Sequence, residues 1–306
     1  MRAAFSNKLV QLAKLDPNVV LLTGDHGYNL FDDFRKQCPD QYINAGIAEQ
    51  NMVGVSAGLA RSGYWPIVYG LSAFIPVRVL EQIKIDVAHD NLPVLFVGDG
   101  AGLVYSHLGA SHQSTEDIAC ARSIPGLSVY SPADRFEVDA CIQWAYKLKK
   151  PTYLRLGKAD RGDIHNTGDV ISQEKLQMIK VNKLNSIAII ATGSMVSVAK
   201  KIASESFPNA SVWSVPSIKP VDKDKVISLS RESEAIIVLE EHSIFGGLGS
   251  IITEICSEYS PLRILRIGVL DKFSHLCGDY EYLLEEHNLD PKSITDQIIK
   301  FISLNS

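Results

Sequence analysis

Glu49 is the side chain whose type and surroundings point most directly to chemistry. It follows a short apolar strand, Tyr42–Asn44, and lies in the first turn of a helix of small residues predicted from Ile47 to about Arg61. A carboxylate at that position usually complements the helix dipole. Here its neighbours are mostly apolar, which favours a carboxyl group that keeps its proton and shares it with a ligand nitrogen.

His112 is the second candidate, at the end of a loop predicted from Gly102 to Gln113. A neutral imidazole can donate to a substrate oxygen as charge builds there, and it can move a proton near neutral pH. Loops at the carboxyl ends of parallel strands often form the walls of binding sites. A loop histidine is more often solvated or structural, so the residue alone leaves its role open.

The elements that must position these residues alternate between strand and helix. In the first half of the chain, the predicted strands besides Tyr42–Asn44 are Asn18–Thr23, Pro66–Tyr69, Leu92–Val97, Leu127–Tyr130 and Pro151–Leu156. The predicted helices between them are Asn7–Lys14, Ser72–His89 and one capped by Asp134 that ends near Leu148. Such alternation predicts a mainly parallel sheet with helices on both faces.

A second unit of the same kind follows a polar segment. Its predicted strands begin at Ser186 and continue with Ala210–Val215, Ala235–Leu239 and Leu262–Ile267, between helices at Val196–Glu205, Val221–Ser228, Leu248–Tyr259 and Ile294–Phe301. We therefore predict an α/β protein of two doubly wound domains, residues 1–157 and 185–306. Residues 158–184 are predicted to be a linker that contains a short hairpin at Asp169–Ile179.

Several short motifs resemble those of one enzyme family. The stretch Asn44-Ala-Gly-Ile-Ala-Glu49-Gln-Asn-Met52 is similar to the pyrimidine-domain motif of the transketolase family, which uses thiamine diphosphate. In the family's order follow Asp25-His-Gly, Ser72-Ala-Phe74, Glu81-Gln-Ile, Ser111-His112-Gln113 and the segment from Glu240 to Ser250. The resemblance covers nearly the whole chain. It implies the carboxy-terminal half of a transketolase, a pyrimidine-binding domain plus a C-terminal domain, encoded as a separate subunit.

The resemblance also implies roles for individual residues. Glu49 would donate a proton to the aminopyrimidine ring of the cofactor, and His112 would act in catalysis and contact the substrate. The positions that match cofactor-binding residues of the family are Glu49, Asp25, Gln50, Phe74, Val77 and Leu80. Among them Phe74 is the aromatic residue expected to stack on the aminopyrimidine. The positions at the substrate site are His112, Arg2, His26, Asn29, Leu108 and Lys158.

Some of these positions depart from ordinary transketolases. Leu108 replaces an aspartate that reads a sugar hydroxyl, and Gly100 replaces a histidine that contacts the substrate phosphate. Asn29 replaces a serine of the family and Lys158 replaces an arginine, whereas Arg2 matches an arginine of the family. The resemblance therefore implies an altered carbonyl transfer, with an unusual sugar acceptor or a 2-oxo acid donor.

The half of the site that binds the diphosphate and the metal is not found in this sequence. Gly98-Asp99-Gly100 looks like part of that motif, but no asparagine occurs between Asn91 and Asn166, so we interpret it as a turn after a strand. We expect no metal ligand on this chain. A partner, the amino-terminal transketolase subunit, would hold the diphosphate and Mg²⁺ or Ca²⁺ in an α2β2 heterotetramer.

Bulk composition limits the other possibilities. The 306 residues are 46% hydrophobic and 21% charged, as in globular proteins, and the formal net charge of -5 gives no reason to expect nucleic acid or an anionic membrane as a partner. The sequence shows neither the apolar run of a signal peptide nor a transmembrane stretch. Five scattered cysteines without a Cys-x-x-Cys pair favour a cytoplasmic protein.

Two alternatives stay open at this point. The chain could be the β-like subunit of a 2-oxo acid dehydrogenase or decarboxylase, although the Ser111-His112-Gln113 context argues against it. It could also be a non-catalytic scaffold subunit that kept the fold, although Glu49, Phe74 and His112 argue against that.

Overall fold

The fold is described from a computed structural model that covers residues 1–159, 161–180 and 187–304. Three features of the sequence-based prediction reach outside these residues. They are Asp160 in the predicted linker, the linker's end at 181–184, and Ser186 at the start of the next strand.

A first sheet is formed mainly by the amino-terminal half of the chain. Numbered in chain order, its strands are β1 Val19–Thr23, β2 Tyr42–Asn44, β3 Trp65–Leu71, β4 Leu95–Asp99, β5 Ser128–Tyr130, β6 Thr152–Leu156 and β10 Ser217–Lys219. Within the described residues the order across the sheet is β10-β5-β6-β4-β3-β1-β2, and every pair is parallel except β10 with β5. β10 thus adds an edge strand from the second half of the chain.

The second sheet lies in the carboxy-terminal half. Its strands are β7 Gln177–Lys180, β8 Ile187–Ala191, β9 Ser211–Ser214, β11 Ala235–Ser243 and β12 Arg263–Val269. Their order in the described part of the chain is β12-β11-β8-β9-β7, and only β7 is antiparallel to its neighbour. The predicted class, two mainly parallel sheets flanked by helices, is confirmed.

Helices cover both sheets. They are α1 Arg2–Leu15, α2 Asp32–Gln37, α3 Glu49–Arg61, α4 Leu80–Gln82, α5 Asp117–Ser123, α6 Arg135–Leu148, α7 Met195–Glu205, α8 Lys223–Glu232, α9 Leu248–Tyr259, α10 Tyr280–Glu286 and α11 Pro291–Ser303. The central strands β1, β4 and β8 are buried along their whole length, as continuous apolar runs between two helical layers should be. The side chain of Asp134 caps α6, as predicted, by accepting from the amides of Phe136 and Glu137.

One predicted helix, Ser72–His89, is wrong as a single element. The segment forms a turn, a 3₁₀ turn at Val77–Val79, the short α4 and a π-helical stretch at Ile83–Ala88. Pro76 explains the break, because proline lacks an amide hydrogen and disfavours the helical conformation of the residue before it. Helical periodicity further along the segment concealed this interruption.

The predicted hairpin at Asp169–Ile179 is also wrong. Gln177–Lys180 forms one strand, β7, and pairs with β9 rather than with a neighbouring segment. The prediction also missed the short elements α2, α5, α10 and β10. Each has seven residues or fewer, so it is too short to show a clear periodicity.

Buried polar groups join the two sheets. Arg155, at 4% exposure, donates from Nε to Asp117 Oδ2 over 2.8 Å and from Nη2 to the carbonyl oxygens of Ser114 and Glu241. Glu241 in turn accepts from the Leu103 amide at 2.7 Å. Because a buried charge without such partners costs several kcal/mol, these bonds fix how the second half of the chain sits against the first.

His242 lies in the same contact and is fully buried. Its Nε2 accepts from the Ala119 amide over 3.3 Å, and its Nδ1 lies 2.8 Å from the Ser243 carbonyl oxygen, to which it donates. Burial lowers the pKa of His242 to about 4. The imidazole is therefore neutral at pH 7, with one nitrogen as acceptor and the other as donor.

We predict that His242 makes the protein less stable in mild acid. In the unfolded chain its pKa is about 6.5, so the unfolded state takes up a proton first and gains about 3 kcal/mol over the folded state as pH falls from 6.5 to 4. The free energy of unfolding in urea, measured from pH 7.5 to 4, should fall more steeply for the wild type than for His242→Gln. Glu240, whose pKa burial raises to about 7, lies 3.8 Å from His242 Nδ1 and titrates in both proteins, so its contribution is measured separately with Glu240→Gln.

The matched control is His107→Gln, because the side chain of His107 is exposed. Its pH profile should follow that of the wild type. Parallel profiles for the wild type and His242→Gln would contradict the assignment of this buried neutral histidine.

Candidate active site

The candidate site lies at the carboxyl ends of β1 to β4. Asp25 follows β1, Glu49 begins α3 after β2, Phe74 follows β3, and a loop with His112 follows β4. The turns after β1 and β2 are packed closely, since a Cβ on Gly24 would lie 3.0 Å from the Gly46 carbonyl oxygen. In open α/β sheets this edge is where ligands bind.

Glu49 has the buried setting that the sequence predicted, with one unexpected neighbour. It is 4% exposed and lies beside the fully buried Met52 and Val53. Its Oε2 accepts from Arg78 Nη1 over 3.1 Å, while its Oε1 is buried without a hydrogen-bond partner among the described residues. One carboxylate oxygen is therefore paired with a cation, and the other can accept or share a hydrogen with a ligand.

Arg78 connects Glu49 with two further predicted residues. Its guanidinium carbon lies 3.9 Å from the centre of the Phe74 ring, and that ring meets the His112 ring edge-on with centres 5.5 Å apart. We call these four residues the Glu49 cluster. Sequence analysis predicted Glu49, Phe74 and His112 but missed Arg78. The signal that could have identified Arg78 is a cation four positions after the aromatic residue.

His112 is held by its own loop. Ser111 Oγ lies 3.0 Å from His112 Nδ1, which leaves Nε2 for other partners. The loop is closed by two hydrogen bonds between the main chains of Gly102 and Ser114, each 2.9 Å. The next residue, Gln113, accepts from Ser274 Oγ of the second half at 3.0 Å.

Arg2 and Lys158 belong to a neighbouring group around Asp99, which we call the Asp99 cluster. Asp99 is 1% exposed, and burial raises its pKa while the Arg2 cation opposes that rise. Arg2 Nε lies 3.2 Å from one Asp99 oxygen, and Tyr105 donates to the other at 3.2 Å. The Lys158 ammonium lies 4.2 Å from the centre of the Tyr105 ring.

Gly100, which stands where ordinary transketolases have a histidine, lies under this tyrosine. Its φ is +74°, and a Cβ there would approach the Tyr105 ring to 2.0 Å. Tyr105 therefore fills the space beside Gly100, so a larger side chain at that position requires the ring to move. This relation was not visible in the sequence, because it depends on how the loop after β4 folds back.

The other predicted site residues lie around these two clusters. Asp25 is exposed and within 3.4 Å of both the Asn44 side-chain nitrogen and the Tyr28 hydroxyl. The remaining predicted residues differ in exposure: His26, Val77 and Leu80 are half-buried, and Gln50, Asn29 and Leu108 are exposed. His26 Nδ1 is buried without a hydrogen-bond partner in the described part of the chain, and Leu80 packs against the core.

Metal-binding and membrane-spanning features are both absent from the described residues. No group of three or more histidine, cysteine, aspartate or glutamate residues there could hold a metal ion. None of the helices there combines the length and the apolar character that crossing a membrane requires.

Comparison with known families agrees with this geometry. The model of the transketolase pyrimidine-binding domain matches residues 1–162, and that of the transketolase C-terminal domain matches residues 177–294. The chain belongs to the transketolase family. The resemblance inferred from the motifs is confirmed, and the chain is the C-terminal subunit of a transketolase-like transferase.

Individual relatives of this transketolase family member are similar along their whole length. An apulose-4-phosphate transketolase subunit of Phocaeicola vulgatus is 34% identical over 98% of this chain and 97% of that protein. The 6-deoxy-6-sulfo-D-fructose transketolase subunit SqwH of Clostridium sp. is 32% identical over 96% and 92%. A solved structure described as a split gene transketolase, inactive beta4 tetramer, superposes with a TM-score of 0.91 at 30% identity, covering 100% of this chain and 99% of that one.

We predict that Gly100→Ala destabilises the protein more than Gly63→Ala. Both glycines have positive φ, which costs an alanine about 1–2 kcal/mol, but a Cβ on Gly63 meets nothing within 4 Å. At Gly100 the methyl group also displaces Tyr105 from the buried Asp99 carboxylate, at an added cost of about 1–3 kcal/mol. Urea unfolding of the two variants measures the difference, and equal losses would contradict the packing of Tyr105 on Gly100.

Proposed function

We propose that this chain forms half of a thiamine diphosphate site that an amino-terminal subunit completes, and that the assembled enzyme transfers a two-carbon ketol unit, or a related acyl unit, to an aldehyde or sugar acceptor. The observation that carries the proposal is the buried Glu49, whose Oε1 has no hydrogen-bond partner among the described residues and which is linked to the ring of Phe74 through Arg78. An aminopyrimidine needs such a carboxyl group and such an aromatic face. When bound, the cofactor supplies the nucleophilic carbon and the electron sink for breaking a carbon–carbon bond next to a carbonyl.

Each residue of this chain has a defined task in the proposal. Glu49 would share a proton with the aminopyrimidine ring. Phe74 would offer its ring for stacking, Val77 and Leu80 would add apolar surface, and Asp25 and Gln50 would also contact the cofactor. His112 donates from Nε2 to the substrate oxygen on which charge builds, with Ser111 fixing the orientation of its ring.

The proposed partner and assembly are supported by the family and by the relatives' names. Two relatives are named as transketolase subunits, which supports a separate amino-terminal partner that holds the diphosphate and Mg²⁺ or Ca²⁺. We propose an α2β2 heterotetramer. The split transketolase of known structure is described as an inactive beta4 tetramer, and this description supports the proposal that the present subunit is inactive without its partner. The proposed division of this chain remains 1–157, 158–184 and 185–306.

A cytoplasmic location is also part of the proposal. All five cysteines are free, and three of them are buried. Reduced thiols of this kind are typical of proteins in reducing compartments.

The substrate proposal rests on the Asp99 cluster. Arg2 is paired with Asp99, so its charge is largely neutralised, and Leu108 offers no acceptor for a sugar hydroxyl. These features support a substrate that differs from an ordinary linear ketose phosphate. The relatives named for apulose 4-phosphate and 6-deoxy-6-sulfo-D-fructose support an unusual sugar. Lys158 is the exposed cation that would meet an anionic group at the far end of such a sugar.

We predict that thiamine diphosphate with Mg²⁺ binds only to the mixture of this chain and its amino-terminal partner. Isothermal titration calorimetry on the chain alone should show no binding, because only the pyrimidine half of the site is present. Glu49→Gln in the mixture should reduce turnover by at least about 10²-fold, since an amide cannot supply the proton. Tight binding by the isolated chain would refute the divided site and the interpretation of Gly98–Gly100 as a turn.

The control for this experiment is Glu205→Gln, because Glu205 is an exposed acid at the end of α7, outside the candidate site, and its charge is removed in the same way. It should leave both cofactor affinity and turnover within a few-fold of the wild type. An equal loss in Glu205→Gln would assign the effect to net charge rather than to the proton on Glu49.

We predict that the assembled enzyme prefers an unusual sugar or a 2-oxo acid over linear ketose phosphates by at least about tenfold in kcat/KM. A panel of these donors, with several aldose phosphates as acceptors, measures the preference. Leu108→Asp should shift it towards linear sugars, because a carboxylate there can accept from a sugar hydroxyl. Full efficiency of the wild type with ordinary ketose and aldose phosphates would refute the substrate proposal.

A further inference from the structure

Arg78 contacts the two side chains, Glu49 and Phe74, that an aminopyrimidine ring would need. Its Nη1 donates to Glu49 Oε2 over 3.1 Å, and its planar guanidinium lies over the Phe74 ring at 3.9 Å from the ring centre. A guanidinium is flat, carries hydrogen-bond donors at its edge and stacks on aromatic faces. In shape and in hydrogen bonding it therefore resembles a protonated nitrogen heterocycle.

The backbone holds Arg78 in reach of both partners. The amide of Arg78 donates to the carbonyl oxygen of Phe74 over 3.1 Å, so the two residues lie one turn apart on the same side of the segment. Arg78 itself lies in the 3₁₀ stretch Val77–Val79, which follows Pro76 between β3 and α4. The Arg78 side chain itself is 46% exposed, so it can leave towards solvent without disturbing the core.

The two contacts exclude a ring at the same place. A stacked ring also needs a separation of about 3.5–4 Å from the aromatic face, which is the space that the guanidinium fills. An arginine cation pairs with an ionised carboxylate, whereas the proposed chemistry needs Glu49 to carry a proton. Occupation by Arg78 and use of the site by the cofactor are thus alternatives.

We propose that Arg78 is a built-in competitor of the cofactor: it occupies the aminopyrimidine position between Glu49 and Phe74 and must swing out before thiamine diphosphate binds. The inference rests on the function proposed above and adds to it a residue that opposes cofactor binding. In the subunit alone Arg78 compensates the buried Glu49 carboxylate. In the assembled enzyme it lowers cofactor affinity by the free energy of the two contacts it gives up.

The test is calorimetric titration of the assembled complex with thiamine diphosphate and Mg²⁺. Arg78→Met keeps the length of the side chain but removes the charge and the planar group. The Kd of the cofactor should therefore fall by about tenfold. This is the combined effect expected of one half-exposed ion pair and one cation–π contact. Arg78→Lys keeps the charge without the flat fork, and its Kd should lie between those of Arg78→Met and the wild type.

The control is Arg135→Met. Arg135 has the same pair of contacts elsewhere, with Asp163 at 2.9 Å and the Phe136 ring at 4.6 Å, and a similar exposure of 54%. Its substitution should leave the Kd unchanged. An effect equal to that of Arg78→Met would overturn the proposal, because it would show a general effect of net charge on a polyanionic cofactor.

A second measurement reports on the contact without any cofactor. In the isolated chain, urea unfolding of Arg78→Met, Glu49→Gln and the double variant gives the coupling between the two side chains. The proposal expects a favourable coupling, and its absence would overturn the contact. It also expects the calorimetric gain of Arg78→Met to be smaller in the Glu49→Gln background, where only the contact with Phe74 remains.

The outcomes separate this inference from the proposed function. An unchanged or weaker affinity of Arg78→Met, in a wild-type complex that binds the cofactor, overturns the competitor and would show that Arg78 is neutral or helps to hold the cofactor. A complex that binds no cofactor in any variant overturns the proposed function, and the competitor with it. Circular dichroism and the assembly state of each variant identify any that fail to fold.

Discussion

The arrangement of this protein depends on one buried cation, Arg155. It lies at the end of β6 with 4% exposure and donates to Asp117, to the Ser114 carbonyl oxygen and to the Glu241 carbonyl oxygen. These partners belong to α5, to the loop with His112 and to β11 of the second sheet. Since a buried charge is tolerated only when its donors are satisfied, the three segments must meet at this arginine.

The second half of the chain therefore helps to shape the site in the first half. The loop after β4 accepts from Ser274 through Gln113 and donates to Glu241 through the Leu103 amide. His242 adds a bond to the amide of Ala119 in α5. Through these bonds the C-terminal domain fixes the end of the loop from which His112 reaches Phe74. The C-terminal domain therefore also supports the loop that forms a wall of the candidate site.

The residues of the candidate site lie on two kinds of element. Glu49 is fixed by the first turn of a long helix, and its carboxylate is buried. Phe74 and Arg78 lie on the interrupted segment after β3, where no long helix constrains them, and the Arg78 side chain is half-exposed. In the proposed function, Glu49 would keep its place on a regular element, and Phe74 and Arg78, on a turn, would adapt to the ligand.

The sequence by itself determined the family, the fold class and the long elements, because hydrophobic periodicity over ten or more residues and burial of whole strands are local signals. It also identified Glu49, Phe74 and His112 through their motifs, although their roles stay proposals. It failed where distant residues decide the outcome. The pairing of Arg2 with Asp99, the placement of Tyr105 over Gly100 and the stacking of Arg78 on Phe74 depend on how loops from separate strands converge at one edge of the sheet. Only the tertiary structure settles which of these charged and aromatic side chains meet, because their energies arise from burial and contact rather than from the residues next to them in the chain.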